Sequence, residues 1–121
     1  MPNLFLKDKE IATITDYFGK VLVNDSLDYW STQIPTQDKD KVSLGRQLYF
    51  DKFGCQSCHQ IDSKGGYVGP ALDHIGKRLK PGWIYAWLKN PQKYKPETIE
   101  PNNNLMDDEA KSLTVFLMSL Q

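Results

Sequence analysis

The feature that most restricts this chain is a five-residue window, CQSCH, which holds both of its cysteines, Cys55 and Cys58, and follows the second with His59. Two thiols three positions apart make a poor structural disulfide, but their spacing matches the two vinyl groups of a haem, and the adjoining imidazole can reach the iron. A c-type haem attachment is the first reading, and three others compete with it. A zinc site needs four ligands, and the chain's cysteines and histidines are Cys55, Cys58, His59 and His74, two of them adjacent and badly placed for one tetrahedral ion. A thioredoxin-like dithiol asks for a βαβ setting, and little here alternates at period two. A chance match is the last, and the flanking segments weigh against it.

Those segments read as helices. In "VSLGRQLYFDKFGC" Val42, Leu44, Leu48, Tyr49 and Phe50 fall at helical spacing, with Gly45 where another backbone can approach closely. "PGWIYAWLKNP" has Pro81 as a first-turn residue, Trp83, Ile84, Trp87 and Leu88 on one face, and Asn90-Pro91 as a stop. "DDEAKSLTVFLMSL" begins with three acids suited to the positive end of a helix dipole and continues with Ala110, Leu113, Phe116, Leu117 and Leu120 as an apolar stripe. The expected architecture is three helices round one porphyrin, with Trp83 and Trp87 as core or haem wall and Tyr49, Phe116 and Met118 as plain core.

A length of 121 residues suits one compact domain with an appendage. Fifteen Lys plus Arg balance fifteen Asp plus Glu, which removes the electrostatic argument for nucleic acid or an acidic membrane surface. No apolar run has the length that crosses a bilayer.

Taken together, "GRQLYFDKFGCQSCH", "VGPALDHIGKRL", "WIYAWLKNP" and "NLMDDEAKSLTVFLMSL" resemble the class I cytochromes c, in particular the bacterial monohaem domains, over residues 42–121. The resemblance implies an all-α cytochrome c fold and one haem c tethered through Cys55 and Cys58. It also implies His59 as the proximal iron ligand, with its other ring nitrogen bonded to the carbonyl of Pro70. Arg78 looks like the family's cation near the haem propionates, with a solvated surface charge as the plainer alternative, and Trp83 falls among the cofactor-binding residues. His74 follows the "GP" segment on the proximal side, so an ordinary, partly exposed histidine is the better reading of it.

The distal side departs from the pattern. Relatives carry a loop of the form P-x-T-x-M-P-N whose Met ligates the iron; here "PETIEPNNNL" puts Glu100 at that position. A carboxylate is a hard donor that favours ferric iron and a low potential. Met106, six residues on, is the alternative sixth ligand, although it also stands where the last helix wants a cap.

The N-terminus repeats the C-terminus. Shifted by 99 positions, "MPNLFLKDKEIATITDYF" lies over "EPNNNLMDDEAKSLTVFL", with identities at Pro2/Pro101, Asn3/Asn102, Leu6/Leu105, Asp8/Asp107, Glu10/Glu109 and Thr15/Thr114. Residues 1–23 therefore resemble the Met loop and last helix of a preceding cytochrome c domain, with Met1 at an axial-ligand position. Residues 24–41, polar and lacking helical periodicity over most of their length, read as a connector in which Tyr29, Trp30 and Ile34 dock on the domain. The repeat fits a tandem cytochrome, a subunit whose first helix completes a neighbouring haem pocket, or an accident of composition.

The functional expectation is electron transfer by an extracytoplasmic, periplasmic protein of a respiratory or other redox chain, exported by a signal that these residues do not include. It is expected to be a carrier rather than an enzyme, working with redox partner proteins or a neighbouring cytochrome c domain in a multi-haem complex. The alternative is a haem enzyme or gas-sensing domain with a weak or open sixth position.

Overall fold

The computed structural model describes residues 4–21 and 25–121, Asp25 by its backbone alone. The expectation for Met1, and Pro2 and Asn3 of the repeat pairs, lie outside the described residues.

The fold is all-α, as the resemblance implied, and its centre is the packing of two helices. Helix α3, Lys39–Gln47, starts where the Asp38 carboxylate accepts from the N–H groups of Asp40 and Lys41, both at 3.1 Å. Its start lies inside the expected connector, so the boundary drawn at residue 42 cuts a helix. The chain then continues through a π-helical turn, Leu48–Lys52, which buries Leu48 and Tyr49 and delivers the backbone to CQSCH. Helix α7, Asp107–Ser119, opens with Asp107, Asp108 and Glu109 in its first turn, and the Met106 N–H donates to Glu109 at 2.9 Å.

Helices α3 and α7 meet at Gly45. A Cβ there would stand 2.1 Å from the Ser112 carbonyl oxygen and 2.7 Å from the Phe116 Cβ, so the backbones approach as only glycine allows. The last helix is buried more completely than one apolar stripe requires. Ala110, Leu113, Phe116 and Leu117 are buried, but so are Ser112, Thr114 and Val115. The cause is packing on several sides, by α3, by the short α4, Ile75–Arg78, and by α5, Pro81–Lys89. The Thr114 hydroxyl meets its own hydrogen-bond need by donating to the Ala110 carbonyl at 2.7 Å. Pro81 opens α5 as expected, and the Asn90 side chain caps α6, Pro91–Tyr94, by accepting from the Lys93 N–H at 3.2 Å. A two-residue hairpin, β1 Gln60–Ile61 with β2 Lys64–Gly65, folds back after the haem motif.

The connector corrects the sequence reading. It contains helix α2, Asp25–Gln33, which packs on α5. Trp30 lies on Tyr85 with ring centroids 4.8 Å apart, and the Ser31 hydroxyl accepts from the Gly82 N–H at 2.9 Å. Tertiary contact supplies what the periodicity lacked. Ile34 is buried and Trp30 half-buried, whereas Tyr29, also expected to dock, is exposed. Helix α1, Asp8–Lys20, buries none of its residues.

Candidate functional site

The π-helical turn and a 3₁₀ turn, Cys55–Ser57, fold the CQSCH window so that the Cys58 and His59 N–H groups both donate to the Cys55 carbonyl, at 3.1 and 3.0 Å. Gln56 anchors the window through its Nε2, which donates to the Phe50 carbonyl at 2.8 Å. Behind the window lies a cavity of about 600 Å³ lined by Cys55, His59, Pro70, Trp83, Trp87 and Glu100, with apolar side chains from α4, α5 and α7. That volume is within the roughly 300–1,000 Å³ of cofactor-sized pockets. Burial, reinforced by the charge of Glu100, pushes the Cys55 sulfur, while it is a free thiol, up to about 11. Cys58 is exposed.

The His59 ring is fixed from two sides. Its Nδ1 lies 2.8 Å from the Pro70 carbonyl oxygen, which can only accept, so Nδ1 carries the proton. Gly69 leaves the ring its space: a Cβ there would stand 2.4 Å from the imidazole. With Nδ1 protonated, a neutral ring presents a lone pair at Nε2, and that lone pair faces the Glu100 carboxylate at 3.2 Å. Two acceptors face one another, and the arrangement is satisfied by a cation shared between them. A proton is one such cation: the Glu100 hydrogen bond, working against desolvation, raises the His59 pKa above its ordinary value. A metal ion is the other, and an imidazole opposite a carboxylate is a donor set that suits iron.

Glu100 is held in place by its own backbone. Its N–H donates to the Thr98 hydroxyl at 3.2 Å and its carbonyl accepts from Gln92 Nε2 at 2.7 Å. Of the two sequence candidates for the sixth position, the structure brings Glu100 to His59 and leaves Met106 outside the cavity, its side chain exposed at the cap of α7. Arg78 is exposed in the last turn of α4 and does not line the cavity, and His74, exposed before that helix, does not line it either. Sequence reasoning gave Tyr49 to the core, but this buried residue also forms part of the cavity wall. It missed Gly69, for which the signal was its place beside Pro70. Among the described residues no three His, Cys, Asp or Glu side chains gather at one point, so the four-ligand zinc reading finds no cluster.

The residues present fit a haem: an apolar cavity, a thiol in its wall with a second three positions on in the chain, and an oriented imidazole lining the cavity. Comparisons with curated proteins and with solved structures returned no match. The family model described as cytochrome c matches residues 42–121, which takes in CQSCH, the cavity and every helix from α4 to α7. The chain belongs to the cytochrome c family, whose cofactor is haem c, bound covalently here through Cys55 and Cys58.

Proposed function

We propose that this chain transfers electrons within an extracytoplasmic multi-haem assembly, with His59 as the proximal ligand of its haem iron and Glu100 as the distal one. The observation that carries the ligand pair is that the Glu100 carboxylate faces the lone pair of His59 Nε2, 3.2 Å away, with both residues lining the one cavity. Bound haem supplies a one-electron ferric/ferrous couple. The protein's part is to position the donors: Pro70 orients the imidazole, Thr98 and Gln92 fix the backbone of Glu100, and Trp83, Trp87 and Leu88 line the cavity with apolar surface. A hard anionic donor stabilises the ferric form and sets a low potential.

Family membership supports haem-based electron transfer in general, and thioether attachment outside the cytoplasmic membrane supports the location. No helix among the described residues is long and apolar enough to cross a membrane. The multi-haem reading draws on the repeated N-terminal helix.

Glu100→Met tests the distal assignment. Replacing the carboxylate by a thioether is expected to raise the midpoint potential by on the order of 100 mV, within the roughly 0.8 V that axial ligands span. The ferric spectrum should acquire the far-red band of methionine ligation. An unchanged potential and spectrum would mean that residue 100 does not face the iron. Carbon monoxide binding readily to the ferrous wild type, with a high-spin spectrum beforehand, would instead favour the open-site reading.

A further inference from the structure

Helix α1 repeats α7 in its backbone and its cap as well as in its sequence. Phe5 and Asn104, 99 positions apart, both take left-handed backbone conformations, at φ 49° and 48°. The next turn is closed the same way in each: Lys7 N–H donates to Glu10 at 2.8 Å, and Met106 N–H donates to Glu109 at 2.9 Å. Both helices then run thirteen residues, Asp8–Lys20 and Asp107–Ser119. Their surroundings differ completely. Leu113 is 2% exposed and its counterpart Ile14 43%; Phe116 is 5% exposed and Tyr17 51%.

We infer that the apolar face of α1 docks on the haem-carrying half of a second cytochrome c domain and closes that domain's haem cavity, as α7 closes the cavity here. This rests on the multi-haem reading above and names the surface through which it is made. The contacts that α7 makes through its matched face predict contacts for α1. Leu113 and Leu117 line this chain's cavity, so Ile14 and Phe18 would line the partner's. Ser112 and Phe116 receive Gly45, so Thr13 and Tyr17 would receive a partner glycine, ten positions before its first haem cysteine, as Gly45 stands before Cys55. Charge complementarity adds a third requirement. Glu109 binds Lys52, three residues before Cys55, so Glu10 asks for a cation at that position in the partner. Among the buried positions of α7 one pair departs from the match: Val115 corresponds to Asp16, which is ion-paired to Lys20 at 2.6 Å on the outer side of α1. The partner therefore covers one face of α1 and leaves the other in water.

The test is site-directed photocrosslinking in the native host, with p-benzoylphenylalanine in place of Phe18 on the full, haem-loaded chain. The expected adduct is a peptide from outside residues 42–121 that immediately precedes, or carries, a second CxxCH haem. The same probe in place of Lys9, on the polar side, should give none. Ile14→Glu with Tyr17→Glu should lower the Phe18 yield by about tenfold or more, because burying unpaired carboxylates is unfavourable, while the chain's own haem spectrum and Tm stay unchanged. Adducts to a second copy's residues 42–121, to lipid, or to a protein without haem c would overturn the inference, as would no adduct above the Lys9 control. Loss of the electron-transfer reading would register separately, as a haem without a reversible one-electron couple.

Discussion

Two helices of this molecule share a length, a cap and a left-handed residue before it, yet one is the most buried element of the fold and the other buries nothing. Local signals therefore decide that a helix forms and where it begins. What the helix is worth to the fold is decided by what faces it. Helix α7 has Gly45 of α3 against its backbone and a cavity wall to complete, whereas among the described residues α1 has no comparable neighbour.

The strongest way to break the comparison is Gly45→Val. Overpacking a core costs about 1–3 kcal/mol when side chains can shift. Here the obstructing atom is a backbone carbonyl oxygen 2.1 Å from the new Cβ, so a rotamer change gives no relief. The expected cost is a large part of the roughly 5–15 kcal/mol that holds such domains together, seen as a collapse in the yield of folded, haem-loaded protein. A variant that folds with normal Tm would show that the α3–α7 approach is not what buries α7.

Matched truncations come next. Leu113→Ala removes a buried side chain that also lines the cavity and is expected to cost about 2–5 kcal/mol, a fall in Tm of roughly 10 °C or more. Ile14→Ala, at the equivalent position of α1, should stay within about 0.5 kcal/mol of wild type in the isolated chain. Thermal unfolding followed at the haem band measures both. An equal loss in the two variants would mean that α1 packs on its own domain.

The same contrast explains what the sequence could disclose. CQSCH, the acids opening α7 and Gly45 are each determined by neighbours a few residues away or by a stereochemical need that few residues meet, and all were legible. Helix α2 was not, because Asp25–Gln33 lacks an apolar period and takes its order from Tyr85 and Gly82, more than fifty residues away. Ser112 and Thr114 lie outside the apolar stripe and are nevertheless buried, because three helices surround α7. Glu100 and Met106 were equal candidates in the sequence. They separate only once Thr98 and Gln92 fix the loop and the cap claims the backbone of Met106.

The smallest expected effect sharpens the comparison at the caps. Glu109 accepts from the Met106 N–H and also binds Lys52, and the Lys52 contact is the main reason its pKa is lowered. A carboxyl whose pKa is lowered by folding contributes stability above its unfolded value, about 4.3, and loses that contribution as pH falls through the lower folded value. Glu109→Gln keeps an acceptor for the cap and removes the charge. At pH 7 it should cost no more than about 1 kcal/mol, since Lys52 is largely exposed, and the difference from wild type should shrink steadily below about pH 4. Glu10→Gln makes the same change in α1 and should leave the global Tm unmoved at either pH, because that helix is not part of the unit that unfolds. Denaturation curves of both variants at pH 7 and pH 3 measure this directly. A pH-dependent loss in Glu10→Gln would mean that the N-terminal helix already has, within this chain, the partner that its exposed face lacks.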